Sequence, residues 1–284
     1  MVDDIEIYAL RSEDACVSTY AGVNNVFSTD DIDFDLLDFI IISNPTSLHF
    51  DTINTLVKYN KPLFIEKPLF SALTPHTDQL VDDTIKSRII TYISCNLRFL
   101  DSLRQIKVLI ADKRINEVNV YCGSYLPNWR PNVDFREIYS ANKEMGGGVH
   151  IDLIHELDYL YWLLGKPLVN RSLFKNNSSL NISAFDYANY TWEYPSFTAS
   201  IILNYYRKDS KRTLEIVTSD GTYLVDLLKN IIYFDGVAIF KSDQRIMDTY
   251  DDQMDYFIHH IMKEDKNFNS IGEANNILKL CIQD

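Results

Sequence analysis

The stretch Asp38-Phe39-Ile40-Ile41-Ile42-Ser43-Asn44-Pro45-Thr46 decides how the N-terminal half reads. Its successive apolar positions mark a strand buried on both faces of a parallel sheet, and the Asn-Pro pair ends it. A helical pattern starts near Thr46 and leads to a second apolar run, Leu63 to Ile65, closed by Glu66-Lys67-Pro68. A helix from about Pro75 leads to a third run, Ile89 to Cys95, and an earlier run, Ile5 to Leu10, precedes them all. Strands alternating with helices predict parallel strands joined by right-handed crossovers. In such a sheet the loops Asn44-Pro45-Thr46 and Glu66-Lys67-Pro68 follow the C-terminal strand ends, the edge where ligands bind.

From about Leu100 the texture changes. A helix to about Asp112 leads to a strand from Val118 to Tyr125, a polar loop through Pro127 and Pro131, and Gly146-Gly147-Gly148. One long helix is predicted from Val149 to about Leu164. Strand-like runs follow at Phe185–Trp192, Phe197–Tyr205, Arg212–Thr218, Tyr223–Leu227 and Ile231–Phe234, with turn signals at Ser219-Asp220-Gly221 and Asp235-Gly236. This pattern predicts an antiparallel or mixed sheet. Helices near Gln253–Lys263 and Gly272–Ile282 close the chain, and the Asn-rich stretch from Lys175 to Asn181 reads as a surface loop.

Composition narrows the function classes. The 284 residues carry 27 basic against 40 acidic side chains, a net charge of −13, so the surface repels a nucleic-acid backbone on average. With 46% apolar and 24% charged residues the chain is globular rather than disordered. No apolar run approaches the roughly 20 residues that span a bilayer. Asp3, Asp4 and Glu6 stand where a signal peptide carries basic residues, so a cytoplasmic location is expected. Cys16, Cys95, Cys122 and Cys281 are widely separated and form no C-x-x-C pair, as expected of reduced, structural thiols.

Two stretches carry candidate chemistry. Pro68 restricts Lys67 to an extended conformation, which projects the lysine over the ligand edge. The alternative is a surface lysine that simply follows a strand. The second stretch runs from Gly146 to Tyr159, where three glycines allow close backbone approach and a helix begins directly afterwards. On one continuous helix Asp152 and His155 are i and i+3 and share a face, so Asp152 would orient His155 and raise its basicity. A hydrogen-bonded structural histidine is the competing reading. His150, Glu156 and Asp158 lie close by, but no recognised metal-ligand pattern is present and no metal is expected.

Taken in order, Asn44-Pro45-Thr46 with His49, Glu66-Lys67-Pro68, Asn96-x-Arg98-Phe99, and Gly146-Gly147-Gly148 followed by Asp152, His155, Asp158 and Trp162-Leu163-Leu164-Gly165 resemble the glucose-fructose oxidoreductase and inositol dehydrogenase (Gfo/Idh/MocA) family. The resemblance implies an α/β plus α+β chain. A Rossmann-like dinucleotide-binding domain would cover residues 1–99, followed by a substrate-binding and oligomerisation domain with a large open, mostly antiparallel sheet over residues 100–284. It implies hydride transfer between NAD(P) and a sugar, sugar derivative or cyclitol, in a homodimer or homotetramer. Lys67 would bind and help to deprotonate the reacting hydroxyl, His155 would be the general acid/base, and Asp152 would orient substrate or histidine. Asn44, Pro45, Thr46, His49, Glu66 and Lys67 would line the cofactor groove. Arg11 and Ser12 would stand at the adenosine ribose, where an arginine without an acid leans towards NADP over NAD.

Two features depart from the family. Its members commonly place three residues between the helix Asp and His, and here Leu153 and Ile154 are the two that separate them. The nine glycines contain no G-x-G-x-x-G, and Ile5–Leu10 falls where the family has its second strand. The first strand, the phosphate-binding turn and the first helix are therefore expected to be missing, with the end at Asp284 clipped as well. The alternatives are then a non-catalytic protein that binds a sugar or a partner, and a structural oligomer built on the C-terminal sheet.

Overall fold

The computed structural model describes residues 5–12, 20–263 and 268–282, so Cys16 lies outside the described residues. Two small parallel sheets form first. Strand β1 (Ile7–Leu10) pairs with β2 (Val23–Val26), a strand the sequence pattern did not reveal. Strands β3 (Ile40–Ile42), β4 (Leu63–Glu66) and β5 (Thr91–Ser94) form the second sheet in that order, with Ile40 opposite Leu63 and Glu66 opposite Ser94. The crossovers are α1 (His49–Leu56), entered through a 3₁₀ turn at Thr46–Leu48, and α2 (Pro75–Lys86). The N-terminus of α2 is fixed by Pro75 in its first turn and by a reciprocal capping box between Thr74 and Thr77.

Strands β4 and β5 are buried along nearly their whole length, as their apolar runs require. The expectation for β3 is corrected. It is an edge strand, and Ile41 is 48% exposed, so β3 is not covered on both faces.

The second half is an eight-stranded sheet in the order β13-β12-β11-β10-β6-β9-β8-β7. Its strands are β6 (Ile115–Tyr125), β7 (Val169–Lys175), β8 (Tyr187–Glu193), β9 (Thr198–Asn204), β10 (Tyr206–Thr218), β11 (Thr222–Asp226), β12 (Ile231–Phe234) and β13 (Val237–Lys241). The β6–β9 pair is parallel and the other neighbours are antiparallel. Alternation gives one buried face, where Val118, Val120, Ala188, Tyr190, Trp192, Ile201 and Leu214 pack, and one half-exposed face. Helices α3 (Asp101–Leu109) and α4 (Val149–Asp152) lie against the sheet.

The single helix expected over Val149–Leu164 is two helices. Helix α4 stops at Asp152, Leu153 leaves the helical region at φ −97° and ψ 26°, and α5 (His155–Leu164) starts afresh. Helix α6 (Thr249–Tyr256) runs into a π turn at Phe257–Ile261, and α7 (Ile271–Cys281) returns to the parallel sheet. There Ile93 N donates to Asn269 O at 2.9 Å and Ile271 N to Thr91 Oγ1 at 3.0 Å. One continuous apolar core therefore joins residues of both halves.

Helix α5 carries two buried carboxylates, Glu156 and Asp158, and each has an arginine. Arg98, 1% exposed, donates to Asp158 through Nε at 2.8 Å and Nη2 at 2.7 Å, places Nη1 2.9 Å from Glu273 of α7, and lies over the Phe268 ring. Arg212 of β10 pairs with Glu156. Removing one partner of such a pair strands a charge in low dielectric. Replacing Arg98 by methionine is expected to destabilise the protein by about 3–5 kcal/mol. Urea unfolding measures the loss, and the double variant Arg98→Met/Asp158→Leu should recover a substantial part of it.

Candidate functional site

Lys67 follows β4, and its peptide bond to Pro68 is cis. Its side chain crosses to the other half of the molecule, where Nζ donates to the backbone oxygen of Asp152 at 3.1 Å. Lys67, Asp152 and His155 are thus brought together from three elements. The expected pairing of Asp152 with His155 is corrected, because the break after α4 takes them off a common helix face. The Asp152 carboxylate instead accepts hydrogen bonds from the hydroxyls of Tyr139 and Tyr205, the latter at 2.5 Å. Burial and the neighbouring carboxylate push both phenols upward, so they remain protonated donors.

His155 is half-buried, and its Nδ1 is buried without a hydrogen-bond partner. Burial, helped by the charges of Lys67 and Arg212, holds its pKa well below the ordinary histidine value. The imidazole is therefore neutral at pH 7, and its protonated form is disfavoured. Gly147 shapes the same place. A Cβ there would meet the backbone oxygen of Tyr139 at 1.8 Å, so a side chain at 147 would unseat the turn that presents Tyr139.

The two strand-end loops are joined by His49. It is wholly buried, with Nε2 3.0 Å from Asn44 O and Nδ1 3.1 and 3.2 Å from Pro68 O and Leu69 O. His49 is thus a clasp between loops rather than a groove-lining side chain. Asn44 donates to Thr52 Oγ1 at 2.8 Å, and its Oδ1 is buried without a partner. Pro45 and Thr46 begin the turn into α1, and Glu66 accepts from Ser94 Oγ at 3.1 Å and from Lys67 N at 3.3 Å. Arg11 and Ser12 follow β1, and Arg11 Nε is held by Asn25 Oδ1 at 3.1 Å. Among the described residues no hydrogen bond or ion pair ties Arg11 or Ser12 to Asn44, Glu66 or Lys67.

The residues present fit the nicotinamide end of a dinucleotide. The orphaned Asn44 Oδ1 is an acceptor awaiting a donor, and Lys67 stands on the adjoining loop. Among the 284 residues no G-x-G-x-x-G is present to match the phosphate end. Glu156 and Asp158 are taken by arginines, and among the described residues no group of three or more His, Cys, Asp or Glu side chains could hold a metal ion. A surface cleft of about 400 Å³ beside Asp101, Arg104 and Phe240 shares no residue with this site. Among the described residues no helix is long and apolar enough to cross a membrane.

Tyr139 and Tyr205 escaped the sequence reading. Tyr139 sits in a polar loop and Tyr205 at a strand end, and no spacing links either to residue 152.

Residues 103–224 match the family described as GFO/IDH/MocA C-terminal domain. This stretch, somewhat under half of the chain, is similar to that C-terminal domain. The chain is 27% identical over 132 residues to 2,7-anhydro-N-acetylneuraminate hydratase of Escherichia coli K12 and 28% identical over 137 residues to inositol 2-dehydrogenase of Rhizobium meliloti. These matches cover 46% and 47% of this chain but only 34% and 38% of the relatives. In fold it is similar to UDP-N-acetylglucosamine 3-dehydrogenase GnnA of Acidithiobacillus ferrooxidans, with TM-score 0.73, 18% identity, and coverage of 91% of this chain and 80% of that one. The WlbA dehydrogenase of Bordetella pertussis in complex with NADH and UDP-GlcNAcA gives TM-score 0.71, 16% identity, and coverage of 91% and 80%. The fold is thus shared with these structures: small parallel sheets of Rossmann-like type, then a large, mostly antiparallel sheet.

His150 packs against the stacked pair Phe174 and Phe185, and burial lowers its pKa to about 4. Between pH 4 and the ordinary value of 6.5 the unfolded chain binds a proton here that the folded chain does not, so stability rises with pH across that window. Acidification from pH 7 to 4 should lose on the order of 3 kcal/mol through this residue. Urea midpoints of His150→Leu and the parent, measured across that range, should show a shallower acid slope in the variant.

Proposed function

We propose that this chain forms part of an NAD(P)-dependent oxidoreductase acting on a sugar, sugar derivative or cyclitol. The observation that carries this reading is Lys67 reaching across to Asp152 beside a neutral, half-buried His155. A bound nicotinamide supplies the hydride acceptor, and Asn44, Pro45, Thr46 and Glu66 would flank it. The Lys67 ammonium donates to the oxygen of the substrate alcohol and stabilises the charge that grows there as the O–H bond breaks. His155 accepts that proton, the carbon gives up its hydride, and the alcohol becomes a carbonyl. Reduction reverses each transfer. Asp152, clamped by its tyrosines, fixes the carbonyl that holds Lys67 and so sets where the ammonium points.

Arg11 favours NADP through a 2′-phosphate, and the half-exposed sheet face carrying Tyr121, Ile202 and Leu224 supports a homodimer or homotetramer. A second reading, sugar binding without catalysis, draws on the absence of G-x-G-x-x-G.

Titration with NADPH and NADH, followed by nicotinamide fluorescence and melting temperature, tests the cofactor. Saturable binding is expected, tighter for NADPH; a folded protein that binds neither belongs to the second reading. Lys67→Ala and His155→Ala are expected to lower kcat/KM by about 10²–10⁴ with a melting temperature close to that of the parent. Undiminished turnover in both variants would remove the assignment.

A further inference from the structure

The loop between β6 and α4 places two aromatic side chains beside the candidate site. Trp129 and Tyr139 are each 37% exposed, yet both are anchored. The Trp129 indole N–H donates to Ser124 Oγ at 3.0 Å, and its ring meets Tyr205 edge-on at 5.3 Å, while the Tyr139 hydroxyl donates to Asp152. Both aromatics therefore converge on the Tyr205–Asp152 cluster whose backbone oxygen holds Lys67. Rigid aromatics held open to solvent pay little ordering entropy when a ring stacks on them. Between them in sequence, Arg130 is exposed and has no carboxylate within ion-pair distance among the described residues, although the chain carries a net charge of −13.

We propose that Trp129 and Tyr139 form an aromatic wall that stacks on the ring of the substrate, and that Arg130 at its rim selects a sugar bearing an anionic group. The inference rests on the sugar reading above and narrows it to acidic sugars, carboxylated or phosphorylated. The apolar C–H face of a pyranose or cyclitol packs on the rings, its hydroxyls turn to Lys67 and His155, and the anion meets the guanidinium.

Trp129 reports its own occupancy. Trp192 is wholly buried and Trp162 half-buried, so the acrylamide quenching that is lost in Trp129→Leu reads Trp129. The protein is titrated with glucose, myo-inositol, glucuronate and glucose 6-phosphate, by quenching and by calorimetry. Protection of Trp129 is expected, strongest for the two anions, and the preference should shrink as salt is raised. Trp129→Leu should weaken every binding ligand about tenfold, Arg130→Gln should weaken only the anions, and Tyr139→Phe, which keeps the ring, should retain stacking. Calorimetric binding that is equal in Trp129→Leu and the parent overturns the wall while leaving the sugar reading intact. Equal affinity for neutral and anionic sugars overturns the role of Arg130. A folded parent that binds none of the four defeats the sugar reading and the wall with it.

Discussion

Helix α5 brings two carboxylates, Glu156 and Asp158, into an interior where a lone charge is untenable. Each must find a cation, and the cations come from opposite directions: Arg212 from the large sheet and Arg98 from the turn after the parallel sheet. The helix is thereby fixed between the two halves of the molecule. Arg98 also reaches Glu273 on α7, so the returning C-terminal helix joins the same network. A planar guanidinium can satisfy Asp158 with two nitrogens and still offer a third to Glu273, which a lysine cannot do. Desolvation opposes the charge on Arg98, and the two carboxylates more than offset it.

This constraint sets the site. His155 opens the same helix, one residue before Glu156, so the ion pairs that place α5 also place the imidazole. Lys67 comes from the other half and is held by a backbone oxygen rather than by a carboxylate. Its charge is consequently not neutralised by Asp152, whose own charge is spread over two tyrosine hydroxyls. The result is a cation, a neutral imidazole and a shielded carboxylate in close quarters, the arrangement on which the proposed proton transfer rests.

Much of this was legible from sequence where burial writes a pattern. Strands β4, β5 and β8 to β12 show apolar runs or alternation because one or both faces are covered. Strands β7 and β13 went unread because they are the two edges of the large sheet, where most side chains meet solvent. Strand β3 carries the same kind of apolar run, yet Ile41 is left exposed, whereas β5, the other edge of that sheet, is covered by α7. Lys67, Asp152 and His155 were identified through their setting in the strand-end and glycine motifs, but their partnership was misread. Helical periodicity assumes an unbroken helix, and the turn at Leu153 and Ile154 breaks it.

That break has a chemical consequence. In a continuous helix the Asp152 carboxylate would share a face with His155 and raise its basicity. Here it is turned to Tyr139 and Tyr205, and the nearest charges acting on His155 are the cations Lys67 and Arg212. The imidazole is consequently a weaker base than a carboxylate-backed histidine, and its proton is more readily surrendered. In the proposed reaction such a weak base would depend on Lys67 to ease ionisation of the substrate hydroxyl, so the two side chains would act as a unit. The tyrosine clamp on Asp152 keeps that unit in register, because the residue whose carboxylate they hold is the one whose carbonyl holds Lys67.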